Sequence, residues 1–236
     1  MPKRYWYIII AYILMQFSPF IGYPILAGFN LTESEIIGYW GVFSFLIGTI
    51  VILILVAPTL KEDSMLRSKG SDRVVMWSIL GVFMAYFAQI IAANIEIYIL
   101  GITTSSENTQ TLMNIARDVP LFVVVTVLFA PVLEEIVFRK ILFGSIYKKT
   151  NFWIAGIISS LIFSVVHGDI SHTLTYTAMG FVFAFLYVKT KRIIVPIFAH
   201  MMMNGFVVLV QYNLTPEDLE RMEQQLEQMK TIFIGG

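Results

Sequence analysis

Apolar residues run in long blocks from residue 5 to residue 212, separated by short polar breaks. A membrane-spanning helix needs about 20 predominantly apolar residues. Segments at 5–29, 36–56, 74–102, 120–146, 152–167, 173–188 and 193–212 meet or approach that length. Pro19 and Pro24 predict a kink in the first of them. Charge interrupts the fourth, and the fifth and sixth are short. The predicted fold is therefore all-α, a polytopic transmembrane bundle of about seven spans. No Pro/Gly/Ser-rich linker divides it, so residues 1–212 read as one membrane domain. Residues 213–236 read as a polar tail. There Thr215, Pro216, Glu217 and Asp218 make a helix start, and Met222, Leu226 and Met229 among Glu and Gln predict an amphipathic helix.

Cations set the orientation, because Lys and Arg accumulate on the cytoplasmic side of short loops. They gather at Lys3 and Arg4, at Lys61, Arg67, Lys69 and Arg73, at Lys148 and Lys149, and at Lys189, Lys191 and Arg192. The alternate loops, 30–35, 103–119 and 168–172, hold only Arg117. This alternation predicts an N-in, C-out topology. The first apolar run outlasts a signal-peptide core and lacks a small-x-small cleavage site, so it is read as a retained helix.

Composition agrees: 57% of the 236 residues are hydrophobic and 14% charged, against about 25% charged in soluble domains. The formal net charge of +0, with basic residues in scattered clusters, excludes a nucleic-acid footprint. The expected partners are membrane lipid and a membrane-bound or amphipathic peptide or protein. The absence of cysteine removes disulfides, thiolate catalysis and lipidated cysteine.

Charge at membrane depth costs about 2.5 to 3.5 kcal/mol per group on insertion scales, so each such residue asks for a role. In the fourth segment Glu135 and Arg139 stand four apart and can pair across one helix face. Glu134, rotated away, has no local partner and is a candidate to activate water. The competing reading makes Glu134, Glu135 and Arg139 an ion-pair cluster that only steadies the bundle. Two of the three histidines lie in later segments. Phe163 and His167 share a face, as do His200 and Asn204. A lone imidazole in an apolar helix is more often a packing residue. Two of them beside a carboxylate pair supply a reaction centre in which Glu134, aided by His167, takes a proton from water while His200 and Asn204 stabilise an oxyanion. Zinc on His167, His200 and Glu134 is the other version, without its H-E-x-x-H signature; no cofactor is favoured. Glu96 is expected to reach the interface, and His172 to be solvated in its loop.

Glu134-Glu135-x-x-x-Arg139, Phe163-x-x-x-His167 and His200-x-x-x-Asn204, in this order on separate helices, resemble the three motifs of the CPBP family of CAAX proteases and bacteriocin-processing enzymes, also called Abi. The resemblance covers roughly 120–207. It implies an intramembrane endopeptidase in a bacterial plasma membrane, with Glu134, His167, His200 and Asn204 catalytic and Glu135, Arg139 and Phe163 supporting. A prenylated CAAX protein, a bacteriocin leader and a peptide pheromone precursor all suit as substrate. The rival functions are a proton- or ion-coupled transporter and a catalytically silent scaffold or immunity protein. One tension stands. On this topology His200 lies about 10 Å from the cytoplasmic end of its helix and His167 about 22 Å from that of the fifth.

Overall fold

The computed structural model describes residues 1–65, 73–102 and 106–213, with isolated positions beyond. The expected tail helix lies outside the described residues. Among the described residues the secondary structure is helix alone, without strands. The elements are α1 (Lys3–Phe17), α2 (Pro19–Leu26), α3 (Glu33–Met65), α4 (Val74–Tyr98), α5 (Glu107–Asp118), α6 (residues 122–147), α7 (Phe152–Val166), α8 (Thr173–Thr190) and α9 (Ile194–Asn213).

Among the described residues four segments are long and apolar enough to cross a membrane: Lys3–Leu26, Glu33–Lys61, Val74–Tyr98 and Ile194–Asn213. The remaining three expected spans differ from these for visible reasons. Helix α6 carries buried Glu135, Arg139 and Lys140. Helix α7 has 15 residues, about 22 Å of rise. Helix α8 has Thr173, Thr175, Tyr176 and Thr177 in its first turns.

Local chemistry explains the bends. Pro19 has no N–H to give the Met15 carbonyl. The Ser18 amide and hydroxyl donate to that carbonyl instead, at 3.1 and 2.7 Å, and α1 passes into α2 through this kink. Trp40 Nε1 then donates to Ser18 Oγ at 3.0 Å, tying the kink to α3. Helix α3 starts with a capping box: the Thr32 amide donates to Glu35 Oε2 at 2.8 Å and the Glu35 amide to Thr32 Oγ1 at 3.3 Å.

The segment 103–119, expected to be a loop, instead contains the amphipathic helix α5. Ser106 caps it by accepting from the Thr109 amide at 3.2 Å. Ile115 and Ala116 on its inner face, with Val119 just past its end, pack with Phe122 and Val125 of α6 and Ile37 of α3.

Helices α6, α7, α8 and α9 enclose the centre. Leu133, Ile136, Val137, Phe138 and Ile141 of α6 join Ile8 and Tyr12 of α1, Ile52 and Val56 of α3, Phe163 of α7 and Tyr176 of α8 in one core. A second core joins Ala85 of α4 to Phe183 and Leu186 of α8 and Val195, Ala199 and Met203 of α9. Helices α7 and α8 meet at small residues, as helices in lipid do. A Cβ on Gly180 would lie 2.7 Å from Ser160 Cβ and 3.2 Å from its Cα.

Candidate active site

The site is built on an irregular helix. Within α6, residues Val125–Phe129 and Glu135–Phe143 wind as π-helix, flanking the α-turn Ala130–Glu134. Pro131 accounts for the first break. With the Ala130 amide given to the Val125 carbonyl, the next i→i+5 donor would be Pro131, which has no N–H. The Thr126 carbonyl is thereby left over, and Asn204 Nδ2 of α9 donates to it at 2.9 Å. One amide N–H of Asn204 thus clasps α6 to α9, and its other N–H and Oδ1 remain for the cavity that Asn204 lines. Winding of this kind recurs at functional sites.

Glu134 ends the α-turn and Glu135 begins the second π-segment. Glu134 lines the cavity. Glu135 is fully buried, with Oε2 3.2 Å from Arg139 Nε and Oε1 accepting from His200 Nδ1 at 3.1 Å. The Arg139 guanidinium, also fully buried, lies over the Phe163 ring at 4.6 Å and near Phe183 at 5.7 Å. The expected Glu135–Arg139 pair is present, and His200 is a third member that no sequence spacing displays.

His167 follows the last residue of α7, and Gly168, at φ +70, turns the chain away directly after it. His167 Nδ1 donates to the Phe163 carbonyl at 2.8 Å, and the two rings lie 4.4 Å apart. With both Nδ1 atoms engaged, His167 and His200 present Nε2 to the same place. Glu134 Oε2 is 3.9 Å from His167 Nε2 and 3.8 Å from His200 Nε2. Phe183 stacks on His200 at 4.8 Å and 18°. His167 reaches this place from the C-terminal end of α7, a 15-residue helix.

Glu134, His167, His200 and Asn204 share a cavity of about 570 Å³. Gln16, Gln89, Asn108 and Gln211 add neutral amides to a wall otherwise formed by Phe45, Leu112, Val207 and their neighbours. Neutral donors and acceptors on an apolar wall suit an extended peptide backbone.

Two expectations are corrected here. Glu96 does not reach an interface. It is 1% exposed and accepts from the Thr175 amide at 2.9 Å, the Thr175 hydroxyl at 2.7 Å and His172 Nδ1 at 3.1 Å. His172 is accordingly not a solvated loop residue but a partner of Glu96 at the cavity wall. A buried carboxylate needs such partners, and the N-terminus of α8 supplies them.

Two imidazoles and a carboxylate are a zinc donor set in kind. In placement they are too wide: 3.8 and 3.9 Å exceed the tetrahedral edge of about 3.3 Å set by ligands at 2.0–2.1 Å. Among the described residues no three His, Asp or Glu gather as a metal-holding group.

The type II CAAX prenyl endopeptidase Rce1-like family matches residues 116–206, the stretch that carries Glu134, His167, His200 and Asn204. A Bacillus subtilis protein named "Putative membrane peptidase YdiL" is 47% identical over 100% of this chain and 99% of its own. The "Membrane-embedded CAAX protease MroQ" of Staphylococcus aureus is 36% identical over 96% of both chains. No solved structure matches. With relatives aligned along nearly its whole length and, among the described residues, four helices long and apolar enough to cross a membrane, the chain is an integral protein of a bacterial membrane, and it belongs to the CPBP family of membrane-embedded CAAX-type proteases.

Proposed function

We propose that the protein hydrolyses a peptide bond of a membrane-associated or amphipathic substrate through a water activated by Glu134. The observation that carries this reading is the convergence of Glu134 Oε2 with the Nε2 atoms of His167 and His200 at 3.9 and 3.8 Å in the cavity wall. A water at this point donates one proton to Glu134 and the other to His167. Its oxygen attacks the substrate carbonyl carbon, and Glu134 takes the proton. The oxyanion that forms accepts from His200 Nε2–H and from the free amide N–H of Asn204. Glu134 then returns its proton to the departing amine as the C–N bond breaks, and the second proton of the water passes to His167 Nε2 and on to solvent, leaving a carboxylate and an amine.

His200 can donate from Nε2 only as an imidazolium, because its Nδ1–H is already given to Glu135. A proton or ion relay through the same residues is not favoured, since the aligned relatives carry peptidase names.

The mechanism rests on water and side chains, so stringent chelation of the detergent-purified protein leaves cleavage of internally quenched amphipathic peptides unchanged. Elemental analysis finds no stoichiometric zinc. Chelator-sensitive turnover restored by zinc would replace this chemistry with a metal's.

We also propose that all seven apolar segments cross the membrane, with the N-terminus in the cytoplasm and the C-terminus outside. Because the chain has no cysteine, single introduced cysteines report sidedness cleanly. Positions 3 and 148 label from the cytoplasmic side and position 33 from the outside. Equal labelling of 33 and 148 from one side would refute the topology.

A further inference from the structure

We propose that Tyr176 is a positioning residue for the site, holding the His167 imidazole through its ring and fastening helix α5 through its hydroxyl. The inference rests on the protease reading above and extends it to a residue outside the three motifs.

A hydrogen bond fixes the His167 ring, from Nδ1 to the Phe163 carbonyl one turn back. That bond sets the tautomer, yet a single bond leaves the imidazole free to tilt about it. The second restraint is aromatic. Tyr176 lies 4.4 Å from the imidazole, centroid to centroid, with 33° between the planes, and Phe163 lies at 4.4 Å and 57°. The imidazole is thus held by two rings from two helices, so that Nε2 stays aimed at Glu134. Ring packing of this kind adds to area burial and favours one ring orientation.

Tyr176 is itself held at both ends. Its backbone sits in the first turn of α8, where the neighbouring Thr175 gives its amide and hydroxyl to the buried Glu96 of α4 at 2.9 and 2.7 Å. Its hydroxyl accepts from Asn108 Nδ2 at 3.2 Å and lies 3.3 Å from Ser106 Oγ, at the start of α5. At the far end of α5, Arg117 Nη2 donates to the Gln211 carbonyl of α9 at 3.1 Å. Asn108, Thr109 and Leu112 of α5 line the same cavity as the reacting groups. The Tyr176 side chain therefore joins a wall of the substrate cavity to the histidine that orients the water. Its ring serves the chemistry, and its hydroxyl shapes the cavity wall.

The two parts separate by mutation. In detergent, with the quenched peptides as probe, Tyr176→Leu removes the ring and lowers kcat by roughly 10-fold or more, since misplacement of about 1 Å can cost about 10². Tyr176→Phe keeps the ring, recovers kcat to within about threefold of wild type, and raises KM as α5 loosens. The double variant Ser106→Ala/Asn108→Ala reproduces the Tyr176→Phe pattern. Should Tyr176→Leu fail to fold, Tyr176→Met, of similar volume and flexible, replaces it. A wild-type kcat for Leu or Met, or a kcat for Phe as low as theirs, overturns the proposal while an inactive Glu134→Gln leaves the protease reading standing. An active Glu134→Gln overturns the protease reading itself.

Discussion

Glu134→Gln lowers peptide turnover by roughly 10² or more, the scale of a lost general base, while the protein still folds and extracts as the wild type does. The amide keeps the size of the side chain and can still hold a water. It cannot accept the proton that attack releases. Folding survives because Glu134 stands in the cavity wall, 3.8 and 3.9 Å from the two imidazoles, and the buried partners of Arg139 and His200 lie on Glu135. The measurement is kcat on quenched amphipathic peptides, paired with a thermal melt in the same detergent. Wild-type turnover in Glu134→Gln would end the mechanism.

Neighbouring residues on a helix point about 100° apart, so Glu134 faces the cavity while Glu135 faces the core. The division resembles other sites in which two carboxyl groups work in different environments. Glu135 orients His200 by accepting its Nδ1–H, a supporting partner of the kind that fixes an imidazole's tautomer.

The residues of this centre were legible because charge and imidazole stand out in apolar runs. Glu134, Glu135, Arg139, His167, His200 and Asn204 all declare themselves by the cost of burying them. Helix limits were legible too, since hydrophobic length is nearly a ruler: 74–102 was expected where α4 runs Val74–Tyr98, and 193–212 where α9 runs Ile194–Asn213. What escaped was non-local. Glu96 reads as an interface residue until Thr175, 79 positions on, is seen to donate to it. His172 reads as a loop residue for the same reason. Helix α5 was hidden by its polarity, although Leu112, Ile115, Ala116 and Val119 follow a helical period that marks one apolar face. Tyr176 gave no signal, one aromatic among the 14% of residues that are Phe, Trp or Tyr. The π-winding of α6 was announced only by Pro131, and a proline indicates a break without saying what form it takes.

Glu135→Gln is the second large effect, and it differs in kind from the first. Glu135 is the counter-charge of Arg139 at 3.2 Å and the acceptor for His200 Nδ1 at 3.1 Å, with no exposed surface. Neutralising it strands a guanidinium in the core. Breaking a buried pair from one side costs about 3–5 kcal/mol, because the remaining charge is uncompensated. The variant should therefore melt well below wild type and also lose turnover, since His200 loses the carboxylate that orients it. Removing the stranded charge separates the two losses. Glu135→Gln/Arg139→Met leaves no ion unpaired at this point, so the double variant regains most of the melting temperature, as buried pairs replaced on both sides can. Activity stays low, because His200 is still without its carboxylate. A double variant as unstable as Glu135→Gln would mean that the carboxylate stabilises the bundle through His200 rather than Arg139. A double variant with restored turnover would remove Glu135 from the proposed chemistry.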